Sequence, residues 1–389
     1  MPDLVYDPFS AATQEDPYPV YEWMLAQAPV YHNEERGFWA LTRFDDVQDA
    51  VCDWHRFSSA AGVRVDDLLA LAGPSILTMD PPRHDVLRAI VRPAFQPRVI
   101  ARLEAIIEAE AEHLLAQLPA DGEVDLADQF AKKLPVLVIC ELMGLPDRDA
   151  ATLKTWGDAL LESADAAGVI TPAAREASTS LRQYFADHLA HRKEHRSDDL
   201  IGALAAVDLA EPLTADEEIG MCNLLFEAGN STTTSLIGNG VLALANHPDQ
   251  LDWLTAHLDA MPSAVEELLR FDAPVQNQVR VTTQEVTLHG TTIPAGATVM
   301  LVLGAANRDP AVWSNPGELR LDRTPKRNLA FGAGIHHCVG APLARIEGRI
   351  ALRLLLTAMP RFEVTQARRF PDVTLRMLKQ LVVRPVRHG

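Results

Sequence analysis

Cys338 lies in the run Phe331-Gly332-Ala333-Gly334-Ile335-His336-His337-Cys338-Val339-Gly340, a glycine-rich bend placed directly before a helical pattern over 341–356. Glycines admit backbone conformations that a side chain forbids. Amide donors of such a bend, together with the amino terminus of the helix that follows, are expected to lower a thiol's pKa and orient its sulfur. A thiolate held in this way suits axial ligation of iron, where its electron donation favours O–O cleavage. Two plainer readings exist. One is a structural cysteine buried in a Gly-x-Gly bend; the other, from His336-His337-Cys338, is a fragment of a zinc site, which lacks a second ligand cluster at suitable spacing. His188, His191 and His195 share one helical face, but Arg192, Lys193 and Arg196 interleave with them as on a solvated helix.

Other reactive side chains fall on helical patterns. Glu227 follows Leu224-Leu225-Phe226, and an acid in so apolar a run is costly unless it has a partner or a task. It shares a helix side with Ser231, four residues on, and Thr232 follows. His84 and Arg88 project from one face at i, i+4, and Glu267 and Arg270 meet at i, i+3. Such pairs are abundant on solvated helices, so their meaning depends on context.

The elements that must carry these groups are mostly helices. Thr214-Ala215-Asp216-Glu217 has the form of a capping box, and helical periodicity then runs to about Ala245, roughly 45 Å of helix. Strands are predicted near Val30–His32 and Phe38–Thr42, joined by Asn33–Gly37. Val286–Gly290 followed by Ala297–Leu303, with Pro294-Ala295-Gly296 as the turn, reads as a small sheet. The fold class is therefore mainly α with a minor β region. Neither repeats nor a linker divide the chain, so residues 1–389 are expected to form a single catalytic domain. No glycine-rich phosphate loop opens a helix after a strand, which excludes a fused nicotinamide or flavin domain.

Composition narrows the partners. With 48% hydrophobic and 23% charged residues the chain can bury a sizeable core. A net charge of -18 disfavours nucleic acid and anionic membranes. The longest apolar runs, near Leu134–Cys140 and Thr298–Ala306, are far shorter than the ~20 residues of a membrane span. Met1–Asp7 show neither a basic leader nor an apolar stretch, so a cytoplasmic location is expected, with the four cysteines (Cys52, Cys140, Cys222, Cys338) as free thiols.

The cysteine segment resembles the haem-binding signature of the cytochrome P450 family, and other matches follow in the family's order. Glu267-Leu268-Leu269-Arg270 is similar to its E-x-x-R element, Ala306-Asn307-Arg308-Asp309-Pro310 to its meander, and His84-Asp85-Val86-Leu87-Arg88 to its H-x-x-x-R helix. The resemblance implies a cytochrome P450 fold with a long distal helix crossing a heme b (iron protoporphyrin IX) cofactor. Cys338 is then the metal ligand, with Phe331 in its loop; His84, Arg88, Arg280 and His336 contact the haem carboxylates. Glu267, Arg270, Asn307 and Arg308 are structural. Thr232 aligns with the family's catalytic alcohol, but Ser231 stands where an acid is expected, and a hydroxyl cannot take up charge near neutral pH. Three roles stay open for Glu227: replacing that acid in proton delivery, binding a polar or cationic substrate, or pointing outward.

The implied activity is a haem-thiolate monooxygenase that inserts one atom of O2 into a small or medium hydrophobic molecule, with electrons from a ferredoxin and its reductase. Lys326, Arg327, Arg345 and Arg349 flank the cysteine loop and could dock an acidic ferredoxin, unless they are scattered surface charge. By family position the substrate pocket draws on Val63, Val65, Leu68, Leu224, Glu227, Ala228, Val275 and Gln278, with Arg64, Gln276 and Asn277 as further polar handles. The alternatives are a peroxide-driven peroxygenase, suggested by the missing acid, and a haem carrier or sensor.

Overall fold

The computed structural model describes residues 5–65, 73–119, 121–162 and 170–386. The helices that position the site are α1 (Arg83–Val91), α2 (Pro97–Ala116), α3 (Lys133–Met143), α4 (Pro172–Glu194), α5 (Ala215–Asn246), α6 (Met261–Phe271) and α7 (Ala341–Ala358). Thr214 starts α5 with a complete capping box: its hydroxyl accepts from Glu217 N–H, and the Glu217 carboxylate accepts from Thr214 N–H at 2.8 Å. The helix then runs 32 residues, apolar or small on almost every side, as a helix surrounded by protein must be. It packs against α3, α4, α6 and α7. At Gly229 a side chain would have no room, because a Cβ there would sit 2.8 Å from Ile139 on α3.

The main sheet has the order β1 (Val30–Asn33), β2 (Phe38–Leu41), β8 (Thr298–Leu301), β5 (Gln278–Thr282), β3 (Phe57–Ser58). The β1–β2 hairpin forms as the sequence predicts, closed by Gly37 at φ 72. The second expected pairing is corrected. β6 (Val286–Leu288) pairs with β7 (Thr291–Ile293), whereas β8 lies antiparallel to β5 and parallel to β2. The reason is local: His289 and Gly290 both take positive φ, 50 and 80, the two-residue turn that best matches strand twist. A third sheet joins β4 (Val124–Asp125), β10 (Leu378–Pro385) and β9 (Phe362–Arg369).

Pleating of β5 sets the direction of two side chains. Val279 enters an apolar cluster with Tyr6, Tyr21 and Met300, so Arg280, one residue later, points to the opposite face. A second cluster, including Leu41, Val47, Val299, Leu329 and Ala333, fastens the sheet to the segment that carries Cys338.

Candidate active site around Cys338

The cysteine loop is a wound bend held by its own backbone. Cys338 N–H donates to Phe331 O at 3.0 Å and Gly332 N–H to Leu329 O at 2.9 Å. Gly332 and Gly334 take φ of 64 and 63, where a side chain is strained. Close approach adds a second demand at Gly334, whose Cβ would lie 2.9 Å from Cys52 Cα. Cys338 is accessible to solvent, yet protein crowds it densely enough that burial pushes its thiol pKa up. Both hold if the sulfur faces an internal cleft, since surface measured inside a cleft counts as exposed. Amides of Gly340 and Ala341 and the charges of Arg88 and Arg345 oppose the rise, as the sequence predicts, but do not overcome it. The expected net lowering is therefore corrected; ionisation of such a thiol calls for a bound cation.

Beside the loop, four cationic or imidazole side chains converge with few anions to balance them. Arg280 is 1% exposed, and its guanidinium donates only to Val279 O (2.7 Å) and Gln278 Oε1 (3.3 Å). Burial pushes its pKa down to about 10, with Asp80 opposing weakly. Arg88 donates to His337 O at 2.6 Å, and burial lowers it as well. His84 is equally buried, and its Nε2 has no hydrogen-bond partner. His336 lies 4.6 Å from the His84 ring and its Nε2 meets Ser59 Oγ at 3.1 Å. Burial, then the charges of Arg280, His84 and Arg88, drive its pKa down to about 3. Unpaired buried cations and an orphan ring nitrogen in one place fit a ligand that brings carboxylates. Together with an accessible thiol, this donor set fits an iron porphyrin with its two propionates.

On α5 the accessible positions form one stripe. Ala228 is exposed and Leu224, Glu227 and Thr232 are half-exposed, while apart from Gly229 the residues from 221 to 235 are otherwise buried. The spacing 224, 227, 228, 232 is one helical face, which therefore borders an interior cleft rather than bulk water. Thr232 donates to Ala228 O at 2.6 Å and Ser231 to Glu227 O at 2.8 Å, back-bonds that loosen a helix. No hydrogen bond to the Glu227 carboxyl forms among the described residues. Burial pushes its pKa up to about 7, with Arg64 opposing. A group so desolvated is not one pointing outward into solvent.

Glu267 and Arg270 form the buried fork read from the sequence, at 2.7 and 2.8 Å. Arg270 also donates to Asn307 O and Pro316 O, and Asn307 Oδ1 accepts from Leu329 N–H, linking the pair to the cysteine segment. Arg308 instead binds Phe271 O and stacks 3.3 Å over the Tyr18 ring, outside the pair. The sequence gave no sign of Arg323, which donates to Glu267 Oε1 at 3.2 Å.

Several pocket expectations change. Leu68 lies outside the described residues. Val63 is buried and Val65 packs on the Tyr6–Met300 cluster. Gln276 and Asn277 are buried and their amide nitrogens donate to Ala273 O and Val373 O; Gln276 Oε1 is buried without a partner. Arg64 is engaged by Asp372 at 2.9 Å. Gln278 sits beside Gly332 and Arg280, at the carboxylate-seeking cluster. Val275, half-buried, bridges to Leu375. Of the flanking cations, Arg345 pairs with Glu266 and Arg349 with Glu104, and Lys326 donates to Val312 O. A cavity of about 30 Å³ beside Tyr6, Gln14 and Arg376 is too small for an organic substrate. Among the described residues no helix is long and apolar enough to cross a membrane, and no three His, Cys, Asp or Glu side chains group to hold a metal ion.

Known proteins resemble this chain along its length. The sequence family described as Cytochrome P450 matches residues 254–388. Vitamin D(3) 25-hydroxylase of Pseudonocardia autotrophica is 40% identical over 366 residues, covering 91% of this chain and 89% of that protein. Cytochrome P450 monooxygenase PikC of Streptomyces venezuelae is 35% identical, with 95% and 91% covered. The solved structure of the Bacillus subtilis polyketide synthase cytochrome P450 PksS superposes with TM-score 0.89 at 32% identity, covering 98% of this chain and 100% of that one.

Proposed function

This chain belongs to the cytochrome P450 family and is an oxidoreductase of the monooxygenase type, and on that premise we propose how its residues divide the work. The cofactor would be heme b, held through the Cys338 sulfur, with Arg88, Arg280, His84 and His336 positioned to receive its propionates. When bound, the haem supplies dioxygen activation. The observation that carries the reading is the pairing of an accessible, protein-enclosed thiol with an uncompensated cationic cluster. The α5 stripe forms the opposite wall. There Thr232 and Ser231 hold water by their hydroxyls, and Glu227 supplies the exchangeable proton that Ser231 cannot. A carboxyl near 7 exists in both forms at neutral pH, as a general acid requires.

Leu224 and Ala228 on the same stripe favour a small or medium hydrophobic substrate, in keeping with relatives whose names denote a vitamin D hydroxylase and a polyketide biosynthesis cytochrome P450. Electrons come from a separate ferredoxin and reductase. With Arg345, Arg349 and Lys326 committed, the docking surface reduces to Arg327 and the exposed His337 beside it. The test is reconstitution with haem, then comparison of native protein with Cys338→Ser. Sulfur ligation gives the reduced, carbon-monoxide-treated protein its red-shifted Soret band and supports product formation with ferredoxin, reductase and reduced nicotinamide. Retention of that band and activity by the serine variant overturns the assignment; turnover with peroxide alone moves the chemistry to a peroxygenase.

A further inference from the structure

We propose that Glu227 makes this enzyme selective for substrates carrying a positively charged nitrogen, a quaternary or protonated amine on an otherwise apolar molecule. The proposal rests on the α5 stripe being the wall of the substrate cleft.

Three observations lead to it. Glu227 occupies the middle of that stripe, with Leu224 before it and Ala228 and Thr232 after it, so its carboxyl belongs to the cleft and lies among apolar or small neighbours. Flanking Asn223 and Asn230 on α5 carry no charge. Among the described residues the charged group that acts on it is Arg64, from the loop before α1, which is itself paired with Asp372, from the hairpin between β9 and β10. Arg64 is held by Asp372 at 2.9 Å, with both side chains nearly buried. Two carboxyls thus share one guanidinium, and its geometry is fixed by the other acid. The wall therefore offers a carboxylate that lacks a fitted cation. Burial without a fitted cation disfavours the ionised form and raises its pKa to about 7. A ligand cation at contact restores the missing charge in a medium where Coulomb attraction is several times stronger than in water.

The pairing keeps a proton available. With a protonated amine, the exchangeable proton of the pair rests on nitrogen instead of on the Glu227 oxygen, at the same point of the cleft. No bond forms or breaks and no electron moves, so the step is binding alone.

The experiment titrates the ferric holoenzyme, by calorimetry and by the Soret shift, with decanoylcholine and with its uncharged carbon isostere, 3,3-dimethylbutyl decanoate. A quaternary nitrogen cannot ligate iron, which excludes that route to affinity. At pH 8 decanoylcholine binds at least about tenfold tighter than the isostere. Its affinity falls about tenfold between pH 8 and pH 6, because the ionised fraction of a carboxyl near 7 drops from about nine tenths to about one tenth, while the isostere's affinity stays level. Glu227→Gln abolishes the preference and the pH dependence; the pH series on the native protein needs no variant to fold. Equal binding of both ligands, or a preference that survives Glu227→Gln, overturns the assignment while the cleft reading stands. If neither ligand moves the Soret band or releases heat, the cleft reading falls with it.

Discussion

Replacing Arg280 with Met should make the haem-free protein more stable and the haem-loaded protein less so. Arg280 is 1% exposed and donates only to Val279 O and Gln278 Oε1, so without an anion its charge is poorly compensated. The fall from the ordinary guanidinium value to about 10 converts, at ~1.4 kcal/mol per pH unit, to roughly 3 kcal/mol against the folded apoprotein. A folded pKa below the unfolded one means this destabilisation is fully present at neutral pH and is relieved only as pH rises above about 10. Methionine removes it but forfeits two hydrogen bonds of about 1 kcal/mol each, leaving a net apoprotein gain of about 1 kcal/mol. With haem bound the sign reverses, since deleting one member of a buried ion pair is destabilising by about 3–5 kcal/mol. Urea unfolding of apo and holo forms measures both, and haem transfer to a competing apoprotein measures affinity separately. If Arg280→Met weakens apo and holo protein equally, the arginine is a structural donor and the carboxylate-acceptor argument fails.

Breaking the Glu267–Arg270 fork by Arg270→Leu strands a carboxylate that Arg323 and Arg320 N–H only partly satisfy, so urea unfolding should show a loss of about 3–5 kcal/mol and poor haem retention. Glu227→Gln should be more stable than native protein at pH 8 and equal at pH 4, because a carboxyl whose folded pKa is raised to about 7 destabilises progressively as pH climbs from the unfolded value through 7; discounted for its half exposure, about 1–2 kcal/mol is expected by thermal or urea unfolding at the two pH values. The yield of product per reductant consumed should decline as pH rises through about 7 in native protein assayed with a neutral substrate and be low and flat in Glu227→Gln, as measured by product and nicotinamide together. Thr214→Ala removes the hydroxyl that accepts from Glu217 N–H, and equilibrium unfolding should register about 1 kcal/mol.

What the sequence revealed of this molecule is what is settled within a few residues. The bend at Gly332 and Gly334, the capping box at Thr214 and the Glu267–Arg270 fork each depend on spacings of four residues or fewer, and each forms. The pairing of β8 did not follow, because its partners, β2 and β5, are distant in the chain while the His289–Gly290 turn captured β6 locally. Loop side chains were equally opaque. Gln276 and Asn277 look like free amides in the sequence, and only the fold supplies the carbonyls of Ala273 and Val373 that absorb them.

Charge shows the same division most clearly. Arg345 and Arg349 stand four residues apart on α7 and read as a basic patch when judged by their neighbours. Their counter-ions are Glu266 and Glu104, 79 and 245 residues away, and neutralise both. Arg280 gave no local cue to its state either, yet there the fold brings no carboxylate into contact. A sequence counts charges, whereas burial and distant partners decide which remain uncompensated. Arg345 and Arg349 end in pairs on a helix flank, whereas among the described residues the Arg280 guanidinium and the Glu227 carboxyl make no ion pair and His84 Nε2 has no hydrogen-bond partner. Stability alone favours apolar side chains at those three positions, which is the physical ground for proposing that the protein holds a cofactor and a substrate there.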